Sequence, residues 1–149
     1  MVSEWKVCEK RLRSMITTTP EELFDLLKYS ITSDEVGSAT YRLNGEIHRD
    51  ENQPAVIKAD GTKAWYKNGK LHRDNDLPAI TYTGGSEFWY QHGVQHRDGD
   101  QPAITFASGT KYWYTAGRRH RDNDLPAAIN ANGAMEWYVH GKFIKSEQS

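Results

Sequence analysis

The sequence predicts a mainly β protein: an elongated antiparallel β-hairpin repeat array with a short α-helical cap at its N-terminus. Two observations lead to this fold class. The tripeptide His-Arg-Asp recurs at a constant step of 24 residues, starting at His48, His72, His96 and His120. Each step also contains a glycine turn between two apolar or aromatic runs. A unit used four times without insertion, and in part a fifth time, indicates serial stacking of one hairpin.

Two glycine steps punctuate each unit. The first falls at Asp60-Gly61, Gly84-Gly85, Ser108-Gly109 and Asn132-Gly133, and it predicts a two-residue hairpin turn. In that register Ile104 lies opposite Trp113 and Ala103 lies opposite Tyr114. The second step, as at Asn68-Gly69, follows the Trp-Tyr pair. The sequence leaves open whether residues 70–73 then add a third short strand.

The first 35 residues lack this repeat. The segment Thr19-Pro20-Glu21-Glu22 has the capping threonine, first-turn proline and returning glutamate of a helix start, and it predicts a helix to about Ser30. Apolar residues at steps of three and four predict an earlier helix, at Trp5, Cys8, Leu12 and Met15. The predicted organisation is a helical cap over 1–35 and hairpin repeats over 36–149.

Composition and charge narrow the function classes. The formal net charge of −1 provides no overall attraction for phosphate or anionic lipid. The single cysteine, Cys8, excludes an intramolecular disulfide framework. No apolar run reaches membrane-spanning length, and charged residues interrupt the first ten positions, so no secretory signal is predicted. We therefore expect a cytoplasmic protein.

The segment from Trp65 to Arg73, Trp-Tyr-Lys-Asn-Gly-Lys-Leu-His-Arg, resembles the MORN repeat. The pattern Gly-x-x-His-Arg...Pro-Ala is similar to MORN-like repeat proteins of bacteria, phages and large DNA viruses, over about residues 41 to 144. The resemblance implies stacked β-hairpins, a habit of binding proteins and no catalytic residues. For a phage or viral protein it implies a host protein as the partner.

The repeated His-Arg-Asp triplet has a structural interpretation. A kinase catalytic loop would need a glycine-rich loop, a downstream asparagine and a metal-binding aspartate, which the sequence lacks. We expect the arginines to stack on aromatic rings or pair with aspartates, and the histidines to donate to connector carbonyls. The structural set is His48, His72, His96 and His120, Arg49, Arg73, Arg97 and Arg121, and Asp50, Asp74, Asp98 and Asp122.

The spacing of the repeats argues against a shared metal site. Two strands per unit place equivalent residues about 10 Å apart, whereas ligands must lie within about 2.6 Å of one ion. Four equivalent histidines therefore cannot converge on one zinc ion. The sequence predicts no metal, no cofactor and no enzymatic activity.

Two binding hypotheses remain. The first is a protein-binding repeat module, in which the turns that differ between units supply contacts: Gln91, His92, Gln95, Arg118 and Arg119. The second is a nucleic-acid or glycan binder that stacks its ligand on the repeated tryptophans: Trp65, Trp89, Trp113 and Trp137. The near balance of 14 basic and 13 acidic residues over 36–149 favours the first.

Overall fold

The computed structural model describes residues 19, 20 and 28–148, and nearly all regular structure within them is β. The strands of the N-terminal part and first two full repeats are β1 (Ser30–Ser33), β2 (Ala39–Leu43), β3 (Glu46–Ile47), β4 (Val56–Ile57), β5 (Lys63–Ala64), β6 (Tyr66–Lys67), β7 (Lys70–Leu71), β8 (Ile80–Thr81), β9 (Glu87–Phe88), β10 (Tyr90–Gln91) and β11 (Val94–Gln95). The remaining strands are β12 (Ile104–Thr105), β13 (Lys111–Tyr112), β14 (Tyr114–Thr115), β15 (Arg118–Arg119), β16 (Ala128–Ile129), β17 (Met135–Val139) and β18 (Lys142–Glu147).

One long antiparallel sheet of 12 strands runs through the described residues in the order β1-β2-β4-β5-β8-β9-β12-β13-β16-β17-β18, with β3 paired to β2. Each repeat contributes two strands to this main sheet. The predicted fold class, a mainly β antiparallel hairpin array, is confirmed. A third and fourth strand per repeat form separate two-stranded sheets, β6-β7, β10-β11 and β14-β15, so residues 70 and 71 are a strand after all.

The chain enters the main sheet earlier than the repeat pattern indicates. Pro20 and Lys28 are helical, and Ser30 begins β1, which pairs along its whole length with β2. The rest of the helix predicted from Thr19, and all of the helix predicted around Trp5 and Met15, lie outside the described residues. Within the described part of the chain, no helix has the length and apolar character to cross a membrane.

The first glycine loop has three residues, and the predicted two-residue turn was wrong. The amide of Phe106 donates to the carbonyl of Thr110 at 2.9 Å, and Ile104 lies opposite Tyr112 rather than Trp113. Only Gly109 of the loop has a positive φ, of 91°, whereas a two-residue turn of the favoured kind needs two such residues. The extra loop residue shifts the register by one and moves each tryptophan to the other face.

The second glycine step forms a tight two-residue turn. Asn68 and Gly69 have φ values of 50° and 73°, and they connect β6 to β7 with Lys67 opposite Lys70. The amide of Gly93 donates to the carbonyl of Leu71 at 2.8 Å, which links one second hairpin to the next. The second hairpins therefore stack beside the main sheet in the same serial order.

The core is thin and repeats with the sequence. Its members are small alanines and one tryptophan per repeat: Ala55, Ala79, Ala103 and Ala127 have no exposed surface, and Trp65, Trp89, Trp113 and Trp137 are 7–8% exposed. The amide of each of the first three tryptophans donates to the alanine carbonyl of the following repeat, as Trp89 does to Ala103 at 2.8 Å. The alanines therefore pair with tryptophan backbone and not, as the predicted register had it, with tyrosine.

The glycine pair Gly84-Gly85 provides a test of the three-residue loop. Gly85 has a φ of 88°, and a Cβ there would meet only Ala107 at 3.9 Å, whereas Gly84 has no positive φ and open space around it. We expect Gly85→Ala to destabilise the protein by about 1 kcal/mol because of backbone strain. Gly84→Ala, the matched control, should leave stability unchanged or slightly raised.

The measurement is the urea midpoint of each variant by circular dichroism. Equal losses in the two variants would contradict the three-residue loop, since a two-residue turn would place both glycines at positive φ.

Candidate binding surface

Each tryptophan is held by polar groups from two repeats. The guanidinium carbon of Arg97 lies 3.9 Å from the ring centroid of Trp89, and Arg73 and Arg121 lie over Trp65 and Trp113 at 3.7 and 4.0 Å. The indole N–H of Trp89 donates to the carbonyl of Asp76 in the preceding connector at 3.0 Å. The rings therefore offer little free surface for a stacked base or sugar.

The arginines connect successive connectors. Arg97 pairs with Asp76 at 2.8 Å and Arg121 with Asp100 at 2.7 Å, while Arg73 donates to the side-chain oxygen of Asn52 at 2.7 Å. The aspartates that pair with arginine are thus the second acidic residues of the connectors. The predicted structural set contains the first acidic residues instead.

The histidines form hydrogen bonds within their own repeat through Nε2 and to the next repeat through Nδ1. Nε2 of each donates to the aspartate two residues later, at 2.8–3.0 Å, rather than to a connector carbonyl as predicted. Nδ1 of His48, His96 and His120 accepts a backbone N–H of the next repeat, at 3.0, 3.4 and 3.4 Å. An acceptor Nδ1 carries no proton, which assigns the proton of the neutral ring to Nε2.

His72 departs from this pattern. Its Nδ1 is buried without a hydrogen-bond partner, and its ring stacks on that of His92 with centroids 4.2 Å apart. His92 was one of the predicted binding residues, and Gln91 beside it donates to Asp98 at 2.8 Å. Both residues lie in the second hairpin of their repeat.

Asp50 of the first His-Arg-Asp triplet forms hydrogen bonds with the segment that precedes the repeats. The carboxylate of Asp50 accepts hydrogen bonds from Lys28 Nζ at 2.6 Å, His48 Nε2 at 2.8 Å and Tyr29 Oη at 2.9 Å. These donors, Lys28 first, hold the pKa of Asp50 well below its usual range. The carboxylate of Asp50 therefore has three partners, whereas the carboxylate of Asp122, in the last His-Arg-Asp, accepts only from His120 among the described residues.

Open polar grooves separate the connectors of adjacent repeats. Their volumes are about 390, 250 and 500 Å³, and the first is lined by His48, Asp50, Trp65, His72 and Arg73, among others. In each groove the histidines of the His-Arg-Asp triplets are hydrogen-bonded to the aspartates of the same triplets. Among the described residues, no three His, Cys, Asp or Glu side chains are grouped to hold a metal ion.

The two faces of the main sheet differ in character. Directly opposed residues share a face, so the register places Ile80, Phe88, Ile104, Tyr112 and Ala128 in one row. The other face carries a polar row of Lys63, Thr81, Glu87, Thr105 and Lys111, the last two directly opposite each other. Between β5 and β13 one side of the sheet is therefore apolar and the other is polar. Beyond these strands Ile57, Ile129 and Met135 continue the polar row with apolar residues, and Glu136 continues the apolar row.

Aromatic rings form a continuous band on the apolar side, which we call the aromatic face: Tyr82, Phe88, Phe106, Tyr112 and Tyr138. Neighbouring rings from Tyr82 to Tyr112 meet edge to face, with centroids 5.1, 5.5 and 5.6 Å apart. The guanidinium of Arg119 bridges to the last ring, at 4.3 Å from Tyr112 and 4.8 Å from Tyr138. All five rings are partly exposed, Tyr82 most at 38%.

Other tyrosines lie close to this band. Burial raises the pKa of Tyr90, with further contributions from Tyr82, Tyr114 and Tyr66. Gln95 lies directly opposite Tyr90, and its side-chain nitrogen is buried without a hydrogen-bond partner. The structure thus brings one predicted binding residue, Arg119, to the aromatic face and places another, Gln95, opposite Tyr90. Arg118 is exposed beside the turn of its hairpin.

The periodicity of the sequence does not predict the aromatic face, because these rings do not repeat. The position of Tyr82 and Phe106 holds Lys58 in the preceding repeat and Asn130 in the following one. The position of Phe88 and Tyr112 likewise holds alanine and glutamate in the outer repeats. Aromatic residues confined to variable positions of the central repeats were the signal available in the sequence.

Comparison with known proteins leaves the chain without an assigned family: no protein-family model matches it, and no curated protein matches it significantly. The resemblance to MORN-like repeats stays a prediction.

The stack of arginine on tryptophan predicts a stability effect. We expect Arg97→Ala to cost about 2 kcal/mol, because it removes a cation–π contact and an ion pair whose arginine side chain is only 16% exposed. The control is Arg118→Ala, an exposed arginine for which we expect a change within about 0.5 kcal/mol. Thermal and urea unfolding measure both, and equal midpoints would contradict the structural role of Arg97.

The contacts of Asp50 predict a pH dependence. A depressed pKa in the folded state means that this carboxylate stabilises the fold above its unfolded pKa of about 3.9 and loses that contribution as the pH falls toward the folded value. We expect Asp50→Asn to lower the melting temperature at neutral pH and to flatten its decline below about pH 4.

The matched control is Asp122→Asn, whose native carboxylate is 83% exposed. Melting curves from neutral to acid pH compare the two variants. A decline in Asp50→Asn as steep as in the wild type would contradict the assignment.

Proposed function

We propose that this protein is a non-catalytic protein-binding repeat module whose partner docks on the aromatic face. The observation that carries the proposal is the contrast between the two sides of the sheet: five partly exposed rings in a continuous band on one, and a polar row on the other. Contiguous exposed aromatic surface of this kind marks binding sites in proteins.

A protein partner fits the charges better than a nucleic acid does. Single strands need cations interleaved with the rings. On the aromatic face Arg119 lies 3.6 Å from Glu136 and contacts two rings, and the repeated arginines, as Arg97 shows, are engaged in contacts within the array. A largely apolar surface with few free charges suits an apolar segment of a protein.

The central repeats supply the specificity. The rings are concentrated in the second and third full repeats, whereas the His, Arg and Trp positions are constant along the array. Constant residues stabilise the stack, and variable residues are available for recognition. For a phage or viral protein, the proposal extends to a host protein as the partner.

The aromatic face predicts the effect of two substitutions on binding. We expect Tyr82→Ser and Phe106→Ser each to weaken the partner's affinity at least tenfold, since central aromatic residues contribute most of an interface's energy. The control is Lys111→Ala together with Glu87→Ala on the polar side of the sheet, which should bind as the wild type does.

The partner is first captured in host extract by a photo-crosslinking amino acid at position 106, with position 111 as the control site, and is then titrated as a pure protein. Urea unfolding verifies that each variant is folded. Equal affinity of the Phe106→Ser variant and the wild type would contradict the docking surface. Quenching of the intrinsic fluorescence by oligonucleotides or oligosaccharides, with no protein captured, would favour the nucleic-acid or glycan hypothesis instead.

A further inference from the structure

The main sheet ends in an open, exposed strand. Within residues 28–148, β18 pairs only with β17, and all six of its residues are exposed. Phe143 and Ile144 are 50% and 52% exposed, and Val139 beside the turn is 46% exposed. The outer edge of such a strand presents backbone groups that can pair with another strand, and exposed apolar residues on it strengthen that tendency.

The sequence of β18 is complementary to itself in the antiparallel direction. When two copies of Lys-Phe-Ile-Lys-Ser-Glu are laid antiparallel and in full overlap, Lys142 lies opposite Glu147, Phe143 opposite Ser146 and Ile144 opposite Lys145. A two-fold axis repeats each pair, so the overlap creates two lysine-glutamate pairs and no like-charge pair. Opposite charges at directly facing positions stabilise a strand pair.

The register of β18 on β17 makes this overlap sterically consistent. Lys142 faces Val139 and Glu147 faces Met135, residues of β17 that are four apart and thus share one face of the sheet. Phe143 faces Tyr138, and Ser146 faces Glu136, on the aromatic side. The register shift between Trp137 and Tyr138 accommodates the odd spacing. The Lys142–Glu147 and Phe143–Ser146 pairs therefore join side chains that already lie on the same face, and Ile144, which the register shift leaves without a facing residue on β17, lies at the centre of the overlap.

We propose that the protein forms a two-fold homodimer in which β18 of one copy pairs antiparallel with β18 of a second copy. The two main sheets then continue into each other across the axis. Because directly opposed residues share a face, the aromatic faces of both copies lie on the same side of the joined sheet. A C2 interface of this kind closes on itself and does not propagate.

The other end of the described sheet fits β18 less well. β1 has the sequence Ser-Ile-Thr-Ser, which offers no charge to Lys142 or Glu147. Pairing of β18 with β1 would also be head to tail, and it would leave a free edge at each end of every assembly. The charge pattern therefore favours the closed dimer.

Charge reversal tests the dimer. Lys142→Glu places two glutamates opposite each other, and Glu147→Lys places two lysines opposite each other, so each single variant should raise the dimer dissociation constant at least tenfold. The double variant recreates the pairs in reverse and should return the dissociation constant to within about threefold of the wild type. Lys111→Glu, an exposed lysine away from the edge, should dimerise as the wild type does.

Sedimentation equilibrium across the micromolar range measures the mass, and circular dichroism verifies the fold of each variant. A wild type that stays monomeric throughout, single reversals without effect, or a double variant that stays as weak as the singles would each overturn the proposal. A series of species that grows with concentration would also overturn it, since that behaviour indicates head-to-tail association.

Discussion

A fold in which no large side chain of the described residues is fully buried has to gain its stability where neighbouring repeats touch, and here that contact centres on one tryptophan per repeat. Its ring is covered by an arginine, its indole N–H is bound by the preceding connector, and its backbone N–H is bound by an alanine of the following repeat, as Trp89 shows with Arg97, Asp76 and Ala103. Each of the first three tryptophans, Trp65, Trp89 and Trp113, thus joins three consecutive units. The constant 24-residue spacing follows, because all of these partners must arrive at one ring together.

The histidines add a hydrogen bond from each repeat to the next. An aspartate of the same unit fixes the proton on Nε2, which leaves Nδ1 to accept an amide of the next unit. A lysine or arginine at this position could only donate, and the amide of the next repeat would lose its partner. The recurrence of histidine therefore reflects its ability to donate and accept at once, and catalysis is not needed to explain it.

Periodicity predicted most of the fold, because the constant residues have the same structural role in each unit. The error came from the Ser108-Gly109 loop, where one additional loop residue exchanged the faces of the aromatic strand. Glycine alone does not distinguish the two loops, since both need a positive φ at that position. The difference lies in the residue before it, which is left-handed at Asn68 but not at Ser108.

Because the prediction depended on residues that recur in every unit, the candidate surface was harder to predict than the fold. Tyr82 and Phe106 occupy positions that differ between units. A comparison of the units with each other therefore does not identify them as related residues. With the register shifted by one residue, their relation to Phe88 and Tyr112 was hidden as well. The strand register brings these rings together, and the residue types alone do not indicate it.

The alternation of side chains along the strands also limits where the chain can gain or lose single residues. Because side chains alternate between faces, inserting or deleting one residue in a strand inverts every side chain beyond it until a loop restores the parity. A whole unit of 24 residues can instead be added or removed with all contacts of the tryptophan intact. Duplication of whole units is therefore the change in length that disturbs this architecture least. The length of the sheet then depends on the number of units.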